Sequence, residues 1–434
     1  MTLKKGTKNK IGYIITAIFI AVCSFFAGFA VHYFTLDKEI RSLIRLKEKI
    51  QELYYYEVDD EKFYTVLFDA VNRDVLDDYS QYLTAEEYLA MKESAKGIKQ
   101  GIGVSFITKT ADGEDQLLVA SVVGNSPAEH SGIKQGEFVI GYGDDNDPAQ
   151  ITPCTNFDTL KAFLDTKDTG DALYLQVQTA QGEKRIIEIV KQSYVENYVY
   201  YKTSTASYGF TGEEATVLTA MGQPLSTLPT DTGYIRLTQF NGQAGTQFYY
   251  AMQKLKADGK KNLLLDVRGN GGGYLHILQN IASYFCKGAT DKNPLVAIAD
   301  FGEEKEYYRA SGNQYANYFS ADSRICVIAD ENSASATECL LGVLIDYQTI
   351  GYEDICLIEK DGCARTYGKG IMQTTYPLFG FDGESVKLTT AEIRWPITEN
   401  CIHGRGIVST DGTVVVAEET EDKQLLSAIE KLYR

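Results

Sequence analysis

Residues 324–348 read RICVIADENSASATECLLGVLIDYQ, and this stretch determines the fold class. The run from Arg324 to Asp330 is short and mostly apolar, which is typical of a buried strand. A turn of small residues follows it, and TECLLGVLIDYQ is an apolar helical segment of about three turns. A strand that leads through a tight turn into a buried helix predicts an α/β domain.

The same alternation continues on both sides of this stretch. GYIRLTQF and NLLLDVRG read as strands, whereas AGTQFYYAMQKLKADG and YLHILQNIASYFC read as helices. Because parallel strands are buried on both faces, apolar runs such as NLLLDV predict a largely parallel sheet. We therefore expect an α/β domain over residues 194–434, in which the polar residues 197–230 form a connector or a surface insertion.

Residues 100–193 follow a different pattern. Five short runs read as strands (GIGVSFITK, QLLVASVVG, FVIGYGD, ALYLQVQT and KRIIEIV), and two short helical stretches lie between them. This pattern predicts a compact β-rich domain between a helical region, residues 37–99, and the α/β domain. Within the helical region, Thr84 and Glu87 have the spacing of a capping box at a helix start.

The amino terminus predicts a membrane anchor. Residues 1–10 contain four lysines, and residues 11–36 contain no Asp, Glu, Lys or Arg. As a transmembrane helix, that run can cross a hydrocarbon core of about 30 Å, and the lysines predict that residues 1–10 stay in the cytoplasm. A cleaved signal peptide, with its cleavage site at GFA (residues 28–30), is the alternative. In both cases the rest of the chain is expected to be extracytoplasmic, either periplasmic or extracellular. The charged helix after the anchor is a candidate for homo-oligomer formation.

The composition argues against several partners and cofactors. The net charge is −17 and the body of the chain has no Lys/Arg-rich run, which argues against nucleic acid as a partner. No Cys/His spacing indicates a zinc site, and we expect neither a metal nor an organic cofactor. Pairing of Cys363 with Cys356 or with Cys401 stays open at this stage.

Ser335 is a candidate nucleophile at the start of the apolar helix. With Glu338 three residues later it also has the spacing of a capping box, so a purely structural role is the alternative. A hydroxyl at a helix N-terminus lies beside unpaired backbone N–H groups, which would stabilise an oxyanion. Asp346 lies about 16 Å further along the helix, and we expect it to anchor the packing of the segment that contains Lys369.

A serine nucleophile requires a base. His276 and His403 are the histidine candidates, although neither lies in a motif typical of a catalytic triad. Lys369, between two glycines in TYGKGIMQT, is the alternative, and it would need burial to be neutral near pH 7. The turn DVRGNGGG, residues 266–273, offers backbone N–H groups to a phosphate or an oxyanion, or simply permits close packing.

Together these motifs resemble the carboxyl-terminal processing proteases, the tail-specific serine peptidases of family S41 that carry a PDZ domain. SASATE is similar to the family's nucleophile motif, which places the nucleophile at Ser335. GKGIMQ is similar to the segment that supplies the lysine base and a supporting glutamine, which places them at Lys369 and Gln373. The segment between Asp346 and Lys369 is longer than in the family.

LLLDVRGNGGG is similar to the glycine-rich strand end whose backbone helps to form the family's oxyanion hole. The resemblance therefore implies oxyanion-hole donors at Ala336 and at Gly271 or Gly272. It also implies an α/β, crotonase-like protease core that needs no metal or organic cofactor.

The β-rich domain resembles a PDZ domain. GIGVSF, residues 101–106, is similar to the loop that binds a terminal carboxylate through backbone N–H groups. SPAEHSGIKQGEFVIGYGD resembles a further PDZ segment, with Glu137 where Asp is usual. The implied substrate-binding residues are Gly101, Ile102, Gly103 and Val104.

The resemblance implies a serine endopeptidase that uses a Ser–Lys dyad and recognises the carboxyl-terminal tails of proteins through its PDZ domain. Two other functions stay open. A catalytically weak PDZ protein could act as a binding or scaffold protein at the extracytoplasmic face of the membrane. An acyl-transfer or acyl-thioester enzyme on a related α/β core would use the glycine turn as its oxyanion hole, but would leave the PDZ-like domain unexplained.

Overall fold

The computed structural model describes Phe19 and residues 35–111, 114–154, 156–211, 217–221, 223–359, 362–378, 383–417 and 422–433. Nearly all of the predicted anchor, residues 11–36, therefore lies outside the described residues, as do residues 1–10. In the described part of the chain, no helix is long and apolar enough to cross a membrane. The described chain forms two compact units, one up to Leu76 and one from Asp77 onward.

Helices and strands are mixed throughout, which confirms the predicted α/β and β multidomain class. The helices described are α1 (Lys38–Leu53), α2 (Asp60–Asp74), α3 (Ala85–Ala95), α4 (Pro127–Ser131), α5 (Phe157–Asp165), α6 (Ala244–Ala257), α7 (Leu275–Ala282), α8 (Tyr315–Tyr318), α9 (Ala336–Asp346) and α10 (Lys423–Tyr433). The strands described are β1 (Gln81–Leu83), β2 (Ile98–Gly101), β3 (Val104–Ala111), β4 (Glu114–Val122), β5 (Phe138–Gly143), β6 (Thr152–Pro153), β7 (Ala172–Gln178), β8 (Lys184–Val190), β9 (Gln192–Val195), β10 (Val199–Lys202), β11 (Ser207–Thr211), β12 (Val217–Ala220), β13 (Thr232–Leu237), β14 (Asn262–Asp266), β15 (Leu295–Asp300), β16 (Lys305–Arg309), β17 (Ile325–Ala329), β18 (Ile355–Glu359), β19 (Ile371–Pro377), β20 (Ser385–Arg394) and β21 (Val414–Ala417).

The first unit contains the helices α1 and α2. α1 is amphipathic, and its side chains of Leu46 and Leu53 are exposed. α2 begins after Asp59, whose carboxylate accepts a hydrogen bond from the N–H of Glu61 and so caps the helix. Residues from Asp77 onward, although predicted with these helices, belong to the second unit.

The strands β3 to β8 form a six-stranded antiparallel sheet in the order β3-β4-β5-β7-β8, with β6 paired to β5. Alternate residues of β7 (Leu173, Leu175 and Val177) are buried, because successive side chains of a strand point to opposite faces. Ala128 of α4 and Leu160 of α5 join the same apolar core. β3 to β8, α4 and α5 share this core, and we call them the sheet module.

Glu137 is buried in the sheet module, where the sequence pattern would normally carry Asp. Its carboxylate accepts hydrogen bonds from both terminal nitrogens of Arg185, at 2.6 and 3.0 Å, and from the N–H of Lys134 at 2.9 Å. A buried carboxylate needs such partners, since an unpaired buried charge is strongly destabilising. The longer side chain is therefore accommodated by an ion pair.

The second large sheet has eight strands in the order β12-β11-β10-β13-β14-β17-β18-β21. The five strands from β13 to β21 are parallel, as the apolar runs predicted. In contrast, the interpretation of residues 197–230 as a connector was wrong, because β10, β11 and β12 extend this sheet with antiparallel pairing. Val199 and Phe210 are fully buried there, which explains why this polar-looking segment is part of the core.

Both faces of the parallel strands are covered. Leu263 and Leu265 of β14 pack in the main core with α6, α7 and α9, whereas Leu264 packs on the opposite face with Leu425 of α10. The side chains alternate between two helical layers, which is the usual arrangement of a buried parallel sheet. The parallel strands therefore form the middle layer of the domain, and the turn before α9 follows directly after one of them, β17.

A third sheet lies beside this domain and has the order β1-β20-β15-β16, with β19 also paired to β20. β1 pairs with β20 from Gln81 opposite Lys387 to Leu83 opposite Ser385. This pairing brings the segment just before β1 close to β19, which begins two residues after Lys369. α3 starts after β1 with the predicted capping box: Thr84 accepts from the N–H of Glu87, and the Glu87 carboxylate accepts from the N–H of Thr84.

Candidate active site

Ser335 lies in the turn between β17 and α9. Its backbone has φ +58° and ψ −118°, a positive-φ conformation that residues other than glycine rarely adopt. Such strain persists only where the surroundings fix it. The N–H of Ser335 donates to the carboxylate of Glu338, which is the backbone half of the predicted capping box, and the hydroxyl of Ser335 makes no side-chain capping bond.

The neighbouring hydroxyls do have structural roles. Ser333 is buried and donates to the carbonyl of Val267 at 2.9 Å. Thr337 donates to the carbonyl of Asn270 at 2.9 Å. Both bonds tie residues 330–337, which carry the candidate nucleophile and which we call the nucleophile turn, to the glycine turn after β14. They leave Ser335 as the hydroxyl of this group that faces a cavity.

Glu338 connects the nucleophile turn with the lysine segment. One carboxylate oxygen accepts from the N–H of Ser335 at 3.0 Å and from the N–H of Lys369 at 2.8 Å. The other oxygen accepts from the hydroxyl of Thr366 at 2.6 Å and from the N–H of Gly368 at 2.8 Å. Burial raises the pKa of this carboxyl, while the hydrogen bonds oppose that rise. A single buried side chain thus fixes both chain segments at once.

Lys369 is half-buried, and its amine lies over the ring of Tyr79, 4.7 Å from the ring centroid. Among the described residues, no carboxylate forms an ion pair with this amine. Burial lowers its pKa, the positive charge of Lys387 lowers it further, and Asp77 opposes both. The amine is therefore biased toward the neutral form that a general base requires.

Gln373 lies on β19, directly after an irregularity in its pairing with β20. Its side-chain amide donates to the hydroxyl of Thr389 at 3.2 Å. Ser80, which precedes β1, accepts from the N–H of Thr389 at 2.8 Å. In this structure Gln373 therefore belongs to a network that joins β19, β20 and the segment carrying Tyr79.

The glycine turn packs directly against the nucleophile turn. A Cβ atom at Gly272 would lie 2.7 Å from the Cβ of Ser335 and 2.8 Å from the nitrogen of Ala336, so only glycine fits there. The N–H of Gly272 donates to the side chain of Asn270 at 3.0 Å. The N–H groups of Gly271 and Ala336, by contrast, have no acceptor among the described residues.

A cavity of about 590 Å³ joins these groups. Ser335, Ala336, Lys369, Gln373, Gly271 and Gly272 all line it. Its remaining wall is formed mainly by apolar or weakly polar side chains, including Met91, Leu275, Tyr308, Cys339, Ile371, Met372 and Ile393. The structure therefore brings the nucleophile, base, glutamine and oxyanion-hole candidates of the α/β domain to one site.

The family follows from a sequence match to this part of the chain. Residues 231–411, which include the glycine turn, Ser335, Lys369 and Gln373, match the family described as peptidase family S41. The chain therefore carries a serine peptidase domain of family S41 over these residues.

Relatives of the peptidase cover most of its length. A CtpA-like serine protease of Staphylococcus aureus (strain COL) is 25% identical over 399 residues, which cover 91% of this chain and 69% of the relative. The chloroplastic C-terminal processing peptidase of Tetradesmus obliquus is 26% identical over 332 residues, which cover 76% of this chain and 64% of the relative. A solved S41 protease structure from Bacteroides fragilis NCTC 9343 covers 86% of each chain at 15% identity with a TM-score of 0.51, which shows a shared fold.

Other candidate residues of the peptidase occupy different positions. His276 lines the cavity beside Tyr274, with ring centroids 5.7 Å apart, whereas His403 is exposed and lies outside the cavity lining. Asp346 accepts hydrogen bonds from Ile397 and Thr398, so the prediction that it anchors the lysine segment was wrong.

The cysteines beyond the apolar segment are free thiols in the structure, including Cys356, Cys363 and Cys401. Neither pairing of Cys363 that the sequence left open is formed.

The implied carboxylate loop lies at one edge of the sheet module. Gly101 ends β2, Ile102 is buried and Val104 begins β3, the edge strand of the sheet. Gly103 has φ +78°, and a Cβ there would lie 2.1 Å from the Cβ of Ser126, so this position requires glycine. α5 packs beside β3, where the rings of Phe106 and Phe157 are 6.2 Å apart.

Three features of the site were missed in the sequence. The spacing from Ser335 to Glu338 predicted a capping box, but not that the carboxylate would also hold the lysine segment. Tyr79 and Lys387 reach the site only through the pairing of β1, β19 and β20. Tyr79 lies in the stretch DDYSQYL, residues 77–83, and the sequence pattern assigned that stretch no role.

Proposed function

We propose that this peptidase is an endopeptidase in which Ser335 is the nucleophile and Lys369 the general base. The observation that supports it best is the shared cavity: a strained serine at a helix N-terminus lines it together with a half-buried lysine that has no carboxylate partner among the described residues. A lysine in this environment can be neutral at a pH where an exposed lysine is charged.

In the proposed reaction, the neutral amine of Lys369 accepts the hydroxyl proton of Ser335 as its oxygen attacks the peptide carbonyl. The resulting ammonium then gives a proton to the leaving amine, and an acyl-enzyme remains on Ser335. Water, deprotonated by the same amine, releases the acyl group. Gln373 supports the wall from which Lys369 projects, through its bond to Thr389.

The oxyanion of the tetrahedral intermediate would be stabilised by the N–H of Ala336 and a second N–H from the glycine turn. Gly271 is the better candidate for the second donor, because the N–H of Gly272 already donates to Asn270. Ala336 is the first residue of α9, where unpaired N–H groups and the helix dipole favour a negative charge. Preorganised donors of this kind are usually the largest electrostatic contribution to acyl transfer.

We further propose that the sheet module is a PDZ domain that binds carboxyl-terminal tails. The carboxylate of the tail would meet the backbone N–H groups of Gly101 to Gly103, and the preceding residues would add as a strand to the open edge of β3. The apolar pair Phe106 and Phe157 beside that edge favours an apolar tail. Residues 11–36 would hold the enzyme at the extracytoplasmic face of the membrane, with tails of proteins as its substrates.

The test is turnover of an unstructured protein with an apolar carboxyl terminus by residues 37–434. Ser335→Ala and Lys369→Ala should each abolish cleavage while the proteins remain folded, and Ser226→Ala at an exposed serine is the matched control. Amidation of the substrate's terminal carboxylate should raise KM if the sheet module binds it. Turnover that survives Ser335→Ala would refute the proposed nucleophile.

A binding protein without activity is the remaining alternative. It would bind the same tail without cleaving it, and Ser335→Ala would not change any measured property. Association of the full chain with membranes is tested separately, by fractionation of cells that express it with and without residues 1–36.

A further inference from the structure

The titratable lining of the catalytic cavity has an unusual charge. Among the described residues, no Asp or Glu lines the cavity. Its wall includes Lys369, Lys387 and His276. The chain as a whole carries a formal charge of −17. Two lysines in one cavity without a carboxylate on its wall are therefore a local exception to an acidic protein.

Lys387 lies in the middle of three paired strands. It is on β20, opposite Thr375 of β19 and opposite Gln81 of β1. The side chain is partly buried and lines the cavity. Within the described residues, its amine has no ion-pair partner and no hydrogen bond. Its charge is thus held near Lys369 by the sheet and is not neutralised by a neighbour.

We propose that Lys387 is a positioning residue for catalysis, whose positive charge keeps the amine of Lys369 neutral in the resting enzyme. A second proton on Lys369 would place two like charges in one partly dehydrated cavity, which is unfavourable because water screens them poorly there. A neighbouring cation is one of the known ways to activate an amine. The inference rests on the proposed role of Lys369 as the base.

The other groups around the Lys369 amine do not cancel this effect. Tyr79 lies under the amine, and the charges of Asp77 and Lys387 act on it. The other titratable groups nearby are His276 on the cavity wall, Tyr367 bonded to Tyr79, and Glu338 bonded to the backbone N–H of Lys369. Asp77 is exposed and favours the charged amine, but its effect on the pKa of Lys369 is smaller than that of burial and that of Lys387. The bond of Tyr79 to Tyr367 and its burial raise the pKa of Tyr79 to about 12. Tyr79 is therefore neutral at the pH values at which the enzyme would be assayed.

Glu338 acts on the backbone and not on the amine. Its carboxylate already accepts four hydrogen bonds, one of them from the N–H of Lys369. Its charge is therefore shared among donors at the start of α9 and in the lysine segment. Burial and Lys387 remain the two influences that favour a neutral amine.

The experiment compares the pH dependence of kcat/KM for the parent, Lys387→Met and Lys387→Arg, from about pH 6 to pH 10. The methionine variant should move the acid limb to higher pH by about half a unit to one unit, so that kcat/KM on that limb falls about three- to tenfold. The arginine variant restores the charge and should restore the limb. Lys292→Met, at an exposed lysine outside the cavity lining, is the matched control.

A second measurement reports on the amine without turnover. In Ser335→Ala protein, Lys369 is acetylated with acetic anhydride at a series of pH values, and the reaction is followed by mass spectrometry. Because only the neutral amine reacts, the dependence of the rate on pH gives the pKa of that amine. Lys387→Met should raise this pKa, and Lys387→Arg should not.

The outcomes separate the inference from the function on which it rests. If the parent shows no cleavage that depends on Ser335, the proposed function fails. If the parent cleaves but Lys387→Met leaves both the acid limb and the labelling pKa unchanged, the inference alone is refuted. A rise in KM for acidic substrates with an unchanged limb would likewise refute it, and would show that Lys387 binds a substrate carboxylate instead.

Discussion

Glu338→Gln is the substitution that best tests how the site is held together. The carboxylate accepts four hydrogen bonds, two at each oxygen, from Ser335 and Lys369 on one side and from Thr366 and Gly368 on the other. A carboxylate can accept all four because it is an acceptor at both oxygens, whereas an amide presents one oxygen and one NH₂ group. The isosteric variant therefore loses up to two bonds and turns a donor toward another donor.

The expected cost follows from this count. An unsatisfied buried donor costs about 1–3 kcal/mol, so Glu338→Gln should destabilise the fold by about 2–3 kcal/mol after partial relaxation. For the unit that begins at Asp77, that corresponds to a fall in Tm of about 3–4 °C. Because the same bonds fix the backbone of Ser335 and Lys369, we also expect kcat to fall by about a factor of ten or more.

The assay combines thermal unfolding with turnover at saturating substrate. Glu303→Gln, at an exposed glutamate in the loop between β15 and β16, is the control for loss of one charge. The reasoning is refuted if Glu338→Gln melts at the temperature of the control and retains the parent's kcat. A lower Tm with an unchanged kcat would mean that the carboxylate stabilises the fold without positioning the two segments.

Three further predictions concern packing and charge. Gly272→Ala should abolish turnover and lower Tm strongly, because the added Cβ would lie within 3 Å of backbone and Cβ atoms of the nucleophile turn. The control is Gly269→Ala, where φ is also positive but the space is open, and it should cost only about 1 kcal/mol of backbone strain. Thermal unfolding and kcat are measured for both variants. Lys369→Met should abolish turnover yet raise Tm at neutral pH, because the folded state lowers the pKa of the amine and so penalises its charged form. The unfolded chain binds that proton more tightly, so the parent's stability should rise with pH up to about pH 10.4, where the advantage of the variant should vanish in unfolding curves. Arg185→Met should destabilise the sheet module by about 3 kcal/mol, because Glu137 is left buried without its cation. We expect faster amide hydrogen exchange that is confined to the sheet module. Unchanged exchange would contradict the argument.

Continuous apolar runs made the parallel part of the fold predictable. Each residue of β14 and β17 is buried, so the runs NLLLD and ICVIA are visible without any structure. Residues 197–230 were misjudged because β10 and β12 have only four residues each, too few for a period of two to stand out. Their tyrosines also look polar in a sequence, although Tyr201 is fully buried.

The candidate site was predictable where its residues lie in local motifs. Ser335 and the glycine turn each follow a strand of the parallel sheet, so their meeting follows from the fold class. The contact of Lys369 with Tyr79 does not, because it depends on pairing between strands far apart in the chain. The hydroxyl of Tyr79 contacts that of Tyr367 across a separation of 288 residues, a distance at which no periodicity carries information.

The short strand β1 determines how far the enzyme can be trimmed. A chain that begins at Ala85 would contain the whole sheet module and every residue of the proposed catalytic set. It would nevertheless lose the strand that pairs with β20 and the ring that lies against the amine of Lys369. We therefore expect the smallest autonomous protease to start near Asp77. A cut directly after Leu76 should leave a complete enzyme, whereas a cut a few residues further on, beyond Tyr79, should leave an inactive one.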